Sequence, residues 1–326
     1  MKLRNRDIPE STDLSDSTPK KISPFPFYGE WKGHTIPHLT TYHSIASSLR
    51  PGKPMIYLAG DSSLDNKFWV PGSGPGGEPL PVDVPEIYYS VLDRPRPKPD
   101  VAFWMNHYLG DQATVINTSI EASMLRERDS GLLPQDEFIR DHITANDVLV
   151  VSVGGNDIAM SPTVSTALRM LQLAWLSSQS SLERGNAWSL GYFRHLFGTQ
   201  IQSYVEKLVA KQKPRAVVIC MIYFPLEQEF SSQNSWADRQ LKLLGYSKNP
   251  GQLQAGIRSI FETAIKEIRV KGTEIIPCAL YEGMDGKNAD DYTERVEPSV
   301  QGGRKMAELL KRKLDSVLIQ GSSVDV

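Results

Sequence analysis

The stretch MIYLAGDSSL (residues 55–64) decides the fold, because an apolar run there passes directly into small and polar residues. The run Met55–Ala59 is too short for a buried helix and does not alternate between polar and apolar residues. Such continuous apolar runs are typical of strands that are buried on both faces of a parallel sheet. Gly60, Asp61 and Ser62 then begin the turn at the carboxyl end of the strand, which is the edge where α/β sheets bind ligands.

Four more runs of the same kind follow along the chain. They are Thr114–Ile120, Val148–Val153, Ala216–Tyr223 and Glu274–Leu280. Segments with helical spacing lie between or after the runs, at residues 100–109, 134–142, 163–176, 199–211, 252–270 and 300–318. Strands that alternate with helices form βαβ units. We therefore predict a three-layer α/β/α fold with a five-stranded parallel sheet.

Composition limits the classes of protein that the chain can belong to. Of 326 residues, 40% are hydrophobic, and the formal net charge is -2. This balance allows a full-sized core and argues against nucleic acid as the main partner. Two cysteines, and an N-terminus without a signal-peptide pattern, favour a reducing, cytoplasmic location. No stretch of the sequence approaches the ~18 consecutive apolar residues of a membrane span. The spacing of cysteines and histidines does not predict a metal site, and no cofactor is expected.

The domain organisation is predicted as one α/β domain with additions. Residues 1–53 form an N-terminal extension that is expected to be partly disordered, residues 54–318 the domain, and residues 319–326 a tail. Two inserts, 65–99 and 177–198, interrupt the alternation of strands and helices. Both follow the carboxyl ends of strands, so we expect them near the ligand-binding edge. The extension and the inserts also offer surface for a protein partner.

A second polar block, Gly154-Gly155-Asn156-Asp157, ends the run Val148–Val153. Glycines at such a turn allow close approach of the backbone, and an asparagine amide is a donor suited to stabilising an oxyanion. Taken alone, either this block or Gly60-Asp61-Ser62 is also compatible with an ordinary turn or helix start. Together they place a hydroxyl and an amide at the same edge of the sheet.

In this order and position the blocks resemble those of the SGNH (GDSL-type) hydrolase family, over about residues 54–315. Gly60-Asp61-Ser62 matches the first block and Gly154–Asp157 the third. The second block reads Asn117-Thr118-Ser119, with Ser119 in place of a glycine, and the last reads Glu294-Arg295-Val296-Glu297-Pro298. The resemblance implies that Ser62 attacks an acyl carbonyl. It also implies an oxyanion hole made of the Ser62 and Ser119 N–H groups and the Asn156 side chain, supported by Gly60, Asp61, Gly154, Gly155 and Asp157.

The last block departs from the family pattern. Its register puts Glu297 where the family has its catalytic histidine and Glu294 where it has the orienting aspartate. A carboxylate can accept the serine proton, but its ordinary pKa is about 4.3, against about 6.5 for imidazole. Burial or a neighbouring acidic group would raise the pKa of Glu297 and strengthen it as a base.

Three hypotheses remain open from the sequence. The first is a serine hydrolase of small-molecule esters or thioesters, with Ser62 as nucleophile, Glu297 as base and Glu294 behind it. The second is a catalytically inactive member of the family that binds a ligand or serves as a scaffold subunit. The third is acyl transfer to an alcohol. Among the histidines, His107 and His142 are expected at the opposite edge of the sheet, the positions of His34, His38 and His43 are not predicted, and His195, in the second insert, is the best candidate to substitute for Glu297.

Overall fold

The fold is built on five parallel strands in the computed structural model, which describes residues 20–73, 77–160, 190–232 and 234–320. The strands are β1 (Met55–Gly60), β2 (Thr114–Asn117), β3 (Val148–Ser152), β4 (Ala216–Met221) and β5 (Glu274–Ala279). They lie in the order β2-β1-β3-β4-β5, and every neighbouring pair is parallel. This is the flavodoxin-like order of doubly wound sheets, so the predicted fold is confirmed.

Helices cover both faces of the sheet. In chain order they are α1 (Pro24–Gly29), α2 (Ile36–Leu49), α3 (Glu86–Val91), α4 (Val101–Leu109), α5 (Pro134–His142), α6 (Gly155–Ala159), α7 (Leu190–Arg194), α8 (Ile201–Leu208), α9 (Asp238–Leu243), α10 (Pro250–Thr263) and α11 (Val300–Gln320). Helix α4 packs against α11, and α5 packs against α8. Right-handed crossovers in opposite directions along the sheet place these two pairs on opposite faces.

The core lies between these layers and the sheet. Every residue of β1, β3 and β4 is buried, whereas the edge strand β5 starts with the exposed Glu274. The N-terminal helices contribute as well, because Leu39 and Tyr42 of α2 are buried and the Tyr42 hydroxyl donates to the Val115 carbonyl at 3.0 Å. Among the helices of the described ranges, none has the length and apolar character to cross a bilayer.

Both inserts contain short helical segments among their described residues. Residues 65–99 contain a 3₁₀ turn at Asn66–Phe68 and helix α3. Residues 190–198 of the second insert belong to α7 and to a π-helical turn, His195–Gln200, that continues into α8. The predicted helix 163–176, residues 177–189 and residues 321–326 lie outside the described residues.

A short antiparallel hairpin precedes the last helix. Its strands are β6 (Tyr292–Glu294) and β7 (Glu297–Pro298), and Glu294 pairs with Glu297 across it. The Asn66 side chain donates to the Pro298 carbonyl at 3.2 Å and accepts from the Val101 N–H at 3.0 Å. The first insert therefore ties the hairpin to helix α4 and fixes its position relative to the end of β1.

Candidate active site

Ser62 lies in a turn that is held by the residue before it. The Asp61 Oδ1 atom accepts from the Ser63 N–H at 3.0 Å and from the Ser63 hydroxyl at 2.7 Å. The Asp61 N–H donates to the Ser152 carbonyl at 3.2 Å, so the turn is fixed to the end of β3. A side chain at Gly60 would place its Cβ 2.5 Å from the same carbonyl oxygen, so the close approach of β1 and β3 requires glycine there.

Gly154-Gly155-Asn156-Asp157 holds the loop that follows β2. The Asn156 amide donates to the Ser123 carbonyl at 3.0 Å. The two Asp157 carboxylate oxygens accept from the N–H groups of Leu125 and Arg126 at 2.7 and 3.1 Å. Gly154 has a φ of 98°, a left-handed conformation that favours glycine. The second and third blocks are thus one connected structure at the carboxyl edge of the sheet.

Glu297 of β7 lies beside Ser62, as the sequence predicts. Its side chain is buried, with 2% exposure, and its Oε2 atom has no hydrogen-bond partner among the described residues. Burial, followed by the charge of Glu121, raises the pKa of the Glu297 carboxyl well above its ordinary value. Hydrogen bonding by the Ser62 hydroxyl and by the Trp236 side chain lowers this pKa in part. The Ser62 hydroxyl and the Glu297 carboxyl are therefore neighbours in a poorly solvated environment.

Glu121 is the acidic neighbour that the sequence analysis missed. It follows β2, is 6% exposed, and leaves its Oε2 atom without a hydrogen-bond partner among the described residues. The Trp69 indole donates to its Oε1 atom at 3.2 Å. Burial and the charge of Asp65 raise the pKa of Glu121 to about 8. A glutamate close behind a strand end was the only available sequence signal, and it does not distinguish Glu121 from other loop residues.

Glu294 does not take the place behind Glu297 that the last block predicts. Its Oε2 atom accepts from the Trp236 backbone N–H at 3.3 Å, and it lines a separate surface cleft with Ser235 and Thr293. Its backbone pairs with that of Glu297 across the hairpin, but its carboxyl bonds the backbone of Trp236, whose side chain interacts with the Glu297 carboxyl. The acidic groups that raise the pKa of Glu297 are Glu121, with the larger effect, and Asp61.

The Ser119 N–H does not fit its predicted place in the oxyanion hole. It donates to the Asn117 side chain at 3.0 Å, and the Ser119 hydroxyl donates to the Leu58 carbonyl at 3.0 Å. Both donors of this buried residue are therefore already used within the protein.

Ala122 is the residue of this loop with an available backbone donor. The N–H groups of residues 118–121 and 123 all donate to protein acceptors, whereas that of Ala122 bonds no other described residue. Ala122 has a φ of 59°, the only positive φ of a described non-glycine residue. Such strained conformations cost about 1–3 kcal/mol and are often found at functional sites.

The six histidines, all of which lie in described ranges, are absent from the walls of the cavity beside Ser62. His195 is exposed on the π-helical turn, so the structure does not place it as a substitute base. His43 and His142 lie together 4.9 Å apart between their ring centres, near Phe138. No imidazole is therefore in contact with the Ser62 turn.

A cavity of about 120 Å³ opens beside these groups. Ser62, Asn156 and Glu297 line one end of it, together with Asp61. The remaining walls are mainly apolar side chains from α6, α7, the π-helical turn, the end of β4, α9 and α10. Burial raises the pKa of Asp61 to about 6, so the acidic groups at the polar end lie in a poorly solvated environment.

The sheet order and the position of the blocks at its carboxyl edge define a flavodoxin-like α/β/α fold. Among solved structures, the chain is similar to an extracellular lipase from Streptomyces rimosus, with 12% identity over 81% of this chain and 99% of the lipase and a TM-score of 0.42. It is also similar to a carbohydrate acetylesterase from Sinorhizobium meliloti, with 12% identity over 81% of this chain and 100% of the esterase and a TM-score of 0.41. An aryl esterase of M. smegmatis is similar too, with 12% identity over 81% of this chain and 99% of that enzyme and a TM-score of 0.40.

Sequence comparisons gave no match. A scan against protein-family models found none, and a search of curated proteins found none at the threshold used. The residue roles proposed below therefore rest on the geometry of this chain.

Proposed function

We propose that the chain is a serine hydrolase that cleaves small-molecule esters or thioesters, with Ser62 as nucleophile and Glu297 as general base. The observation that carries this proposal is the contact between the Ser62 hydroxyl and the buried Glu297 carboxyl at the polar end of one cavity. A nucleophile and a base within hydrogen-bonding reach are the minimum that acyl transfer requires.

The reaction has two halves. Glu297 in its carboxylate form accepts the Ser62 proton while the serine oxygen bonds to the acyl carbon, and the protonated Glu297 then gives that proton to the departing alcohol or thiol. Water attacks the acyl-serine in the second half, losing its proton to Glu297. Glu297 returns a proton to Ser62 as the acid leaves, so the site is restored.

Three donors are proposed for the oxyanion of both halves. They are the Ser62 N–H, the Ala122 N–H in place of that of Ser119, and the Asn156 side-chain amide. The bond from Asn156 to the Ser123 carbonyl uses one amide hydrogen and leaves the other for the substrate. Loss of one such donor commonly costs about 10²–10³ in kcat.

The raised pKa of Glu297 gives this site its pH dependence. A carboxyl with a raised pKa is a stronger base once ionised, but it is protonated and unable to accept a proton below that pKa. The proposed hydrolase therefore gains activity as the pH rises through the raised pKa of Glu297. The same observation supports the alternative of an inactive, ligand-binding protein, because a raised pKa keeps Glu297 protonated, and unable to act as a base, to higher pH than an ordinary glutamate.

Labelling with a fluorophosphonate probe distinguishes the serine hydrolase from the inactive, ligand-binding protein. We expect covalent labelling of Ser62 that increases with pH between about 4 and 9, a span that brackets ordinary carboxyl and imidazole pKa values. Ser62→Ala should abolish the label. Ser63→Ala is the matched control, because its hydroxyl is bound to Asp61 and Ser152, and it should still be labelled. Folded protein that stays unlabelled throughout would exclude the hydrolase and favour the ligand-binding alternative.

A further inference from the structure

We propose that the apolar part of the cavity binds the acyl chain of the substrate, which makes the substrates esters or thioesters of medium-length fatty acyl groups. This inference rests on the proposed function and specifies its substrate class. Ser62 lines the cavity together with mainly apolar side chains, so a chain attached to the carbonyl under attack would meet these walls.

The walls offer an acyl chain contacts along its length. Helix α6 contributes Ile158 and Ala159, and the insert contributes Phe193 and Phe197. Further apolar wall residues are Met221, Ile222, Pro225, Leu241, Leu244, Leu253, Ile257, Ile260 and Val296. Apolar ligands gain affinity in such a site through the removal of their surface from water.

Polar groups of the cavity are confined to the end that holds the reacting atoms. The Tyr223 hydroxyl, which belongs to a wall residue, donates to the Val296 carbonyl at 2.6 Å and is therefore satisfied within the protein. A sugar or a charged acyl group placed among the other wall side chains would lose its hydrogen bonds to water without replacement, which is costly. The walls thus select against polar acyl groups.

The size of the cavity sets the chain length. A water-sized group needs about 10–15 Å³ by the same measure, so the cavity of about 120 Å³ accommodates on the order of ten non-hydrogen atoms. An acyl group of about eight to ten carbons would fill that space. An acetyl group would leave most of it empty.

The chemistry favours the acyl part over the leaving group as the occupant. The acyl part stays bound to Ser62 through both halves of the reaction, whereas the leaving group must depart and water must replace it. Trp236, which interacts with Glu297, is 39% exposed, so the side of Glu297 towards Trp236 is the one that reaches solvent. The buried walls are left for the part of the substrate that remains.

The test is a series of p-nitrophenyl esters that differ only in acyl length. We expect kcat/KM to rise about fourfold with each added methylene, which corresponds to about 0.8 kcal/mol per buried CH₂, and to level off near eight to ten carbons. Highest activity on the acetate ester, or no dependence on chain length, would overturn the proposal.

Two variants change the cavity in opposite directions. Ala159→Phe fills it and should lower the octanoate-to-acetate ratio of kcat/KM at least tenfold, whereas Ile257→Ala enlarges it and should move the optimum to longer chains. Ala210→Phe, on an exposed residue outside the cavity, is the control for the added ring and should keep the native profile. An unchanged profile in Ala159→Phe protein that is folded by circular dichroism would contradict the assignment.

Measuring the binding of unreactive amides tests the acyl site independently of the proposed hydrolase activity. Octanamide and acetamide are neutral and unreactive here, so their affinity for Ser62→Ala protein, measured by calorimetry, reports on the cavity alone. Tight binding of octanamide that Ala159→Phe removes, without hydrolysis by native protein, would retain the acyl site and reject the hydrolase. Hydrolysis without any preference for octanamide over acetamide would reject the acyl site and retain the hydrolase.

Discussion

The Glu121 carboxyl raises the pKa of the Glu297 carboxyl, although one residue follows β2 and the other lies in the hairpin before the last helix. Each has one carboxyl oxygen that is buried and without a hydrogen-bond partner among the described residues. A negative charge at Glu121 disfavours the ionised form of Glu297. The base of the proposed reaction is therefore adjusted by a residue outside the four sequence blocks.

Glu121→Gln should shift the pH dependence of activity. Removing the Glu121 charge lowers the pKa of Glu297, because that charge disfavours its ionised form. The rising limb of kcat/KM against pH is expected to move to lower pH by about one pH unit. Glu294→Gln is the matched control, since its side chain bonds the Trp236 backbone, and it should leave the limb in place. If the rising limb of the pH profile moves in neither variant, Glu121 does not affect the pKa of Glu297.

Glu121→Gln should also change the pH dependence of stability. The pKa of Glu121 is about 8 in the folded chain against an ordinary 4.5. Between those values the folded state holds a proton that the unfolded state has lost, so stability falls as pH rises through this window. Above it the native protein carries a cost on the order of 4 kcal/mol, which the glutamine variant lacks.

Chemical denaturation at about pH 5 and about pH 9, on either side of this window, measures the effect. The variant should gain stability over the native chain at the higher pH and little at the lower. Glu282→Gln, on an exposed glutamate, should match the native protein at both. Equal differences at the two pH values would mean that Glu121 is not buried in its protonated form.

Glu297→Gln should remove general base catalysis while keeping the shape of the side chain. A positioned base commonly contributes about 10²–10⁴ in rate, so kcat should fall by that order with p-nitrophenyl esters. Glu297→His then serves as the reciprocal variant, since it introduces an imidazole with an ordinary pKa of about 6.5. If Glu297→His creates activity in a chain that had none, the native protein is an inactive member. If it abolishes existing activity, Glu297 is the working base.

Ala122→Gly should stabilise the protein and keep its activity. A φ of 59° costs an alanine roughly 1–2 kcal/mol that glycine does not incur. Glycine's larger loss of conformational freedom on folding offsets roughly 0.5–1 kcal/mol of this gain. The expected net effect is a stabilisation of up to about 1 kcal/mol, measured by chemical denaturation, with kcat/KM unchanged. Ala122→Val should be destabilised and slower, because a β-branched residue fits this conformation poorly.

Most of the fold could be predicted from sequence, because the information for it is local. Each of the five apolar runs became a strand, with ends that differ by a few residues from those predicted: Thr114–Ile120, for example, was predicted and Thr114–Asn117 is observed. The last three residues of that run lie outside β2, and their N–H groups donate to the Leu58 carbonyl, the Asn117 side chain and the Gly60 carbonyl. The pattern of apolar residues along one strand does not reveal such partners, because it carries no information about which groups of other elements lie nearby.

What the sequence determined by itself is the set of groups at the carboxyl edge of the sheet: the Ser62 hydroxyl, the Asn156 amide and the Glu297 carboxyl. Parallel strands end at one edge whatever their order, so residues that follow such strands meet there. Only the tertiary structure decided that Glu121, and not Glu294, acts on Glu297, and that Ala122, and not Ser119, has a backbone N–H to offer. The physical reason is that pKa values and free hydrogen-bond donors depend on which distant side chains share a buried volume, and the packing of the whole chain sets that arrangement.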